Sequence, residues 1–208
     1  MARYSGPVCR QCRREQTKLF LKGEKCYTKC VLDRRPTPPG QAKPARGKPS
    51  SYAIRLREKQ KLRRMAGVTE RPLRRLMEAA SKKPEATGEQ LLRSLELRLD
   101  NVVKRSGIAA SLKGARQFVL HRHVLVGGRR VNIPSYVLKP GDVVSCAPAL
   151  KDNVGVKLSL ETAKRLANRP GFLEFDEEKL SVKVLRAPER SEMSWLVNDQ
   201  LIVEYYSR

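Results

Sequence analysis

Residues 95–146 read LELRLDNVVKRSGIAASLKGARQFVLHRHVLVGGRRVNIPSYVLKPGDVVSC, and within this stretch the hydrophobic repeat changes from helical to extended. Leu91, Leu95, Leu99 and Val102 share one face at helical spacing, which predicts a long helix opened by a Thr87/Gln90 capping box and ended by Gly107. The segment SLKGARQFVLH from Ser111 predicts a shorter helix. Val124 and Val126 then alternate with their neighbours, Gly127-Gly128 permits a tight turn, and Val131 and Ile133 alternate again, a pattern that predicts a β-hairpin. Pro140-Gly141-Asp142 turns the chain into a further strand, VVSC.

Working outward, Ser50 or Ser51 can cap a helix running to Gly67, with Ile54, Leu62, Met65 and Ala66 as a narrow apolar stripe. Arg55, Lys59 and Arg63 form one basic row beside that stripe, and Arg57, Lys61 and Arg64 another, so this helix is expected to dock on a core and present cations along both edges. The next helix begins at Thr69, tolerates Pro72 in its first turn and buries Leu73, Leu76, Met77 and Ala80. Downstream, LETAKRLA reads as helix and LSVKVL as strand, while LIVEYY fits either period. No repeat of solenoid length is present.

The charge is unevenly distributed. The 208 residues include 44 Lys+Arg against 21 Asp+Glu, a formal net charge of +23. Residues 1–80 hold 22 basic and 6 acidic side chains, net +16, which leaves 22 and 15, net +7, for residues 81–208. Self-repulsion on this scale calls for a polyanionic partner. No apolar run reaches membrane-spanning length and MARYSGPVCR lacks the features of a targeting segment, so a cytoplasmic protein without a membrane partner is expected.

Four of the five cysteines lie in the first 35 residues, which carry few apolar side chains. Cys9-x2-Cys12 and Cys26-x3-Cys30, separated by thirteen residues, supply two chelating pairs with spacing suited to one tetrahedral zinc ion. Such an ion could fold a segment too poor in apolar residues to build its own core. The same four thiolates could instead hold an iron–sulfur cluster. All four ligand positions would be filled, which argues against a catalytic metal. Cys146 reads as an ordinary strand residue. After the cysteines, RRPTPPGQAKPARGKPS (34–50) has five prolines, two glycines and five basic residues, and favours an extended path.

Arg98-Leu99-Asp100-Asn101-Val102-Val103, Ala115-Arg116-Gln117, His121 and His123, Val131-Asn132-Ile133-Pro134-Ser135-Tyr136 and Pro140-Gly141-Asp142 together resemble the S-four module, a small RNA-binding unit. The resemblance extends to the flanks. Met1-Ala2-Arg3-Tyr4, Gly6-Pro7, Arg34-Arg35-Pro36, Pro38-Pro39-Gly40-Gln41, Arg55 to Lys61 and Gln200 to Arg208 are similar to the bacterial ribosomal members of that family rather than to enzymes that borrow the module. It implies an α+β protein: a zinc-stapled extension and basic linker (1–49), an all-helical domain (50–93 and 187–208), and an inserted small α/β RNA-binding domain with an antiparallel sheet (94–186, the module at about 95–158). It also implies a helical LIVEYY. Three positions depart from the family pattern: Arg122 stands where glycine is usual, Gly127 replaces asparagine, and Ala42-Lys43 replaces His-Gly.

The resemblance further implies a non-enzymatic constituent of the small ribosomal subunit, with small-subunit rRNA, neighbouring ribosomal proteins and mRNA near its entrance channel as partners and no small-molecule substrate. Recognition would centre on a helical junction in the 5′ region of the rRNA, early in assembly, with an influence on translational accuracy. Folded RNA is read through phosphates and 2′-hydroxyls, which Arg and Lys on a rigid surface serve well. The candidate contacts are Arg3, Arg10, Arg13, Arg14, Lys18, Lys22, Arg34 and Arg35 in the extension; Arg55, Arg57, Lys59, Lys61, Arg63 and Arg64 in the first long helix; and Lys113, Arg116, Gln117, His121, Arg122, His123, Arg129 and Arg130 around the hairpin. Lys113, Arg116, His121, Arg122, His123, Arg129 and Arg130 could make one continuous basic edge. With aromatics at only 5%, a stacking platform for single strands is disfavoured. A pseudouridine synthase would need a catalytic domain for which the chain after the module has little room. A zinc-dependent DNA regulator would need a groove-reading helix that the dispersed cations do not form.

Overall fold

The computed structural model describes residues 4–40, 48–166 and 169–207. The chain divides into two compact units, one made of Met1–Leu92 with Trp195–Arg208 and the other of Arg93–Ser194.

The first unit is helical: α1 (Cys9–Glu15), α2 (Lys25–Thr28), α3 (Val31–Arg34), α4 (Ser51–Met65), α5 (Glu70–Ala80), the start of α6 (Thr87–Glu96) and α10 (Asp199–Tyr206). Ser50 caps α4, its hydroxyl accepting from Ala53 N–H at 3.2 Å. Leu62, Met65 and Ala66 are buried as expected, but Ile54 is exposed, because the covered stripe of α4 begins only at Lys59. Lys59 itself is buried and belongs to that stripe, not to an exposed row. On α5, Leu73, Met77 and Ala80 are buried and Leu76 is half-buried. LIVEYY is helical, within α10, which lies along α4. Asn198 caps α10 through its side-chain oxygen, and its own N–H donates to Glu58 at 3.1 Å.

The expected long helix from Thr87 to Gly107 is two helices, α6 and α7 (Leu99–Arg105). Between them the chain is diverted into pairing: Leu138 N–H donates to Leu97 C=O and Leu99 N–H to Tyr136 C=O, with a bridge between Arg98 and Val137. Leu91, Leu95, Leu99 and Val102 are all buried nonetheless. Helix α6 begins at Thr87, with Gln90 N–H donating to Ala86 C=O, and the Gln90 side chain is engaged by Lys83 and Glu85.

The second unit sets α7, α8 (Leu112–Leu120) and α9 (Val154–Leu166) with a five-stranded antiparallel sheet. Its strands are β1 (Val124–Val126), β2 (Arg129–Arg130), β3 (Val143–Cys146), β4 (Leu173–Asp176) and β5 (Ser181–Val184), in the order β2-β1-β3-β5-β4. The hairpin turns at Gly127 and Gly128 with φ of 54° and 79°, the left-handed values that a type I′ connection needs. Its second strand is only two residues long, so Ile133 lies outside the sheet and is exposed. Strand β4, in GFLEFD, is not among the expected elements, although Leu173 and Phe175 alternate with Glu174 and Asp176 after Pro170-Gly171. One sheet face supplies Val124, Val144, Cys146, Val182, Val184 and Leu173 to a core shared with Leu99, Val102, Ala115, Val119, Val156 and Phe172. Burial alone pushes the Cys146 thiol up to about 11, as an inert core residue should behave.

Candidate nucleic-acid interface

Each group of predicted contacts is built differently. On α8, Ser111 caps the helix by accepting from Gly114 N–H at 3.2 Å, and Lys113, Gln117 and His121 emerge as exposed side chains. The helix ends in a Schellman motif: His123 N–H donates to Phe118 C=O, Arg122 N–H donates to Val119 C=O, and Arg122 takes φ +62°. That left-handed conformation explains a glycine preference at this position, and it projects Arg122 into solvent. It also brings His121 and His123 together, ring centroids 6.2 Å apart and planes 21° apart.

Arg116 is different. Its Nε donates to Asp100 Oδ2 at 2.7 Å, and Arg98 clasps both oxygens of the same carboxylate at 3.1 and 3.0 Å. Asp100 is fully buried, so it anchors α8 to α7. Sequence reasoning passed over Asp100 and Arg98 as core-making residues, although an Arg-x-Asp at a helix start was available as a signal.

The hairpin divides its two arginines between the faces of the sheet. Val126 pairs with Arg129 and Leu125 with Arg130. Adjacent strand residues face opposite sides of a sheet, so Arg129 lies on the side of the helices and Arg130 on the outer side. Arg129 thus shares the helix side of the sheet with α8, and Arg130 leaves the opposite face of the same edge strand.

In the first unit the cations of α4 are engaged internally. Arg55 meets Glu204 at 2.6 Å, Lys59 and Arg63 meet Glu70 at 2.7 and 3.4 Å, and Lys61 meets Glu58 at 2.7 Å. Arg57, at 3.4 Å, and Arg64 converge on Glu15 of α1, whose side chain is only 2% exposed. Burial raises the Glu70 carboxyl, but hydrogen bonds from Lys59 and Tyr206 and the nearby charges of Lys59 and Arg63 outweigh it, leaving Glu70 below the usual range. Burial also lowers Arg64, against the attraction of Glu15. These pairs join α4 to α1, α5 and α10.

In the extension, Arg10, Arg14, Lys22, Arg34 and Arg35 are exposed. Arg13 instead straps the linker, donating to the carbonyls of Thr37 at 2.8 Å and Pro38 at 3.3 Å, while Gln16 donates to Pro36 C=O at 2.7 Å. Lys18 pairs with Asp33 at 2.8 Å. Arg3 and Ala42-Lys43 lie outside the described residues.

The four cysteines of the extension share one neighbourhood. Burial first, then the proximity of Cys26, Cys9 and Cys30, raises Cys12, against a hydrogen bond from the Leu19 backbone. Cys26 is raised in the same way, and Lys22 N–H donates to its sulfur at 3.3 Å. Backbone N–H donors aimed at sulfur are what thiolate ligands require. Even so, among the described residues no three Cys, His, Asp or Glu side chains stand close enough together to hold an ion as they are.

Residues 3–96 match the ribosomal protein S4/S9 N-terminal domain and residues 97–144 the S4 domain. Over the whole of both chains, the protein is 54% identical to small ribosomal subunit protein uS4A of Symbiobacterium thermophilum. It is also 51% identical to uS4 of Thermus thermophilus and 54% identical to uS4 of Dictyoglomus turgidum, again over both full lengths. Two domain matches in this order, full-length identity above one half, and a helical unit accompanying the sheet-bearing one lead to a single assignment: the chain belongs to the uS4 family of small ribosomal subunit proteins.

Proposed function

We propose that this chain is a structural, non-enzymatic constituent of the small ribosomal subunit in the cytoplasm, where it binds small-subunit rRNA beside neighbouring ribosomal proteins. Its role there is that of a primary binder: it recognises a helical junction in the 5′ region, nucleates assembly, lies near the channel where mRNA enters and influences translational accuracy. The observation that carries the reading is full-length membership of the family combined with exposed cations and polar groups on a rigid scaffold, Lys113, Gln117, His121, Arg122, Arg129 and Arg130 above all. Such a surface meets phosphates without ordering cost at the moment of binding.

The extension supports one structural zinc ion on Cys9, Cys12, Cys26 and Cys30, a donor set that also suits an iron–sulfur cluster. Bound there, the metal would supply cross-linking of a segment with little core, and the chain's own Arg13 and Gln16 would then hold the linker against α1.

Titration of the full chain with a small-subunit rRNA junction fragment, random RNA and duplex DNA across a salt series tests the function. Junction binding that survives at salt concentrations where the other two are lost is expected. Equal binding to all three would overturn the proposal. Co-sedimentation with small subunits after a high-salt wash is the matching observation in extracts.

A further inference from the structure

The sheet of the second unit has one face in the core, and the other carries a surface that composition and motif did not reveal. The register fixes its membership. Arg130 lies opposite Leu125, Leu125 opposite Ser145, Ser145 opposite Ser181, and Val143 opposite Lys183. Their sequence neighbours Val124, Val144, Val182 and Val184 are all buried on the helix side, so these residues must face outward. Arg130 and Lys183 are exposed, Val143 is 41% exposed, and Ser145 and Ser181 are half-buried side by side. Glu174 and Asp176 of β4 continue the same face, directly opposite Lys183 and Ser181.

We propose that this outer face is a second RNA-backbone contact surface, on the side of the sheet opposite α7 and α8. Arg130 and Lys183 meet phosphates, the paired hydroxyls of Ser145 and Ser181 meet ribose 2′-hydroxyls beside Lys183, and the β4 carboxylates, next to Ser181 and Lys183, mark where the backbone stops. The arrangement suits RNA for a physical reason. Small hydroxyl side chains at the centre let a sugar approach the sheet, Arg130 lies beyond Leu125 on one side and Lys183 two residues along β5 from Ser181, and the outward strand positions include no aromatic residue to stack a base. A module using both α8 and this face would be gripped from two sides of one thin sheet, with Arg129 and Arg130 dividing between them. The inference rests on the rRNA-binding reading above.

The test uses the full chain and the same rRNA junction fragment, with backbone footprinting and a salt series. Arg130→Ala and Lys183→Ala should each weaken binding and reduce the slope of log affinity against log salt by about one, and together by about two. Their lost protections should differ from those lost in Lys113→Ala. Ser145→Ala/Ser181→Ala should abolish the parent's preference for ribose over 2′-deoxyribose at those protected nucleotides. Glu174→Gln should bind at least as well as the parent. If the parent and Lys113→Ala behave as expected but the Lys183 and double-serine variants bind and footprint like the parent, the outer face is not an RNA site and falls to a protein neighbour. If the parent itself shows no preference for the junction, the rRNA-binding reading fails and this inference with it.

Discussion

Arg116 on α8 donates to Asp100 on α7 at 2.7 Å, through a carboxylate that is fully buried and already clasped by Arg98. One of the module's motif arginines is thus part of the packing between two helices. Removing the carboxylate would take from Arg98 and Arg116 the acceptor they share in a poorly solvated site. Asp100→Ala is expected to destabilise the second unit by about 3–5 kcal/mol, read by denaturant unfolding. A loss under ~1 kcal/mol would show that the cluster is solvated and structurally idle.

Arg122 sits at φ +62° in the Schellman ending of α8. A non-glycine residue in the left-handed region costs roughly 1–2 kcal/mol, and glycine returns part of this through a more flexible unfolded chain. Arg122→Gly should therefore stabilise the protein by up to about 1 kcal/mol while weakening RNA binding by one cation. Opposite signs in thermal melts and RNA titrations check it.

Glu15 ties α1 to α4 through Arg57 and Arg64. Glu15→Gln keeps shape and removes the charge of the one buried partner, so the helical unit should lose about 1–3 kcal/mol as the partly buried Arg64 and the more exposed Arg57 lose their counter-ion. Hydrogen exchange should show α1 and α4 opening together, whereas unchanged protection would contradict the role given to Glu15.

Glu70 gives the acid limb its sign. Its folded carboxyl lies below the ordinary 4.5, so the contribution from Lys59 and Tyr206 is present above that value and lost as pH falls through the lower folded one. Glu70→Gln should flatten the decline of stability below about pH 4.5, relative to the parent, in pH-jump unfolding. No change in slope would mean that Glu70 titrates alike in both states.

Metal analysis of the purified chain should give one zinc per molecule, lost in Cys9→Ser/Cys12→Ser, and removal by a chelator should loosen the extension, including the linker held by Arg13. An absorbance band in the visible with iron in place of zinc would assign a cluster instead. Folded parent protein free of any metal would overturn the assignment.

Periodicity and turn chemistry determined much by themselves: α4 from its Ser50 cap, α5, α8, the Gly127-Gly128 hairpin, β3 and β5, and the cationic excess that calls for a polyanion. These are local, since a cap, a repeat or a left-handed glycine acts within a few residues. What lay beyond sequence is what pairing partners far along the chain decide. The break between α6 and α7 exists because residues 136–138 return to bond Leu97 and Leu99. Lys59 is buried because Glu70 and Tyr205 meet it there, with its ammonium 4.4 Å from the Tyr205 ring centre. Arg129 and Arg130, adjacent in sequence and alike in chemistry, were divided between two faces by strand register, which a run of cations does not encode.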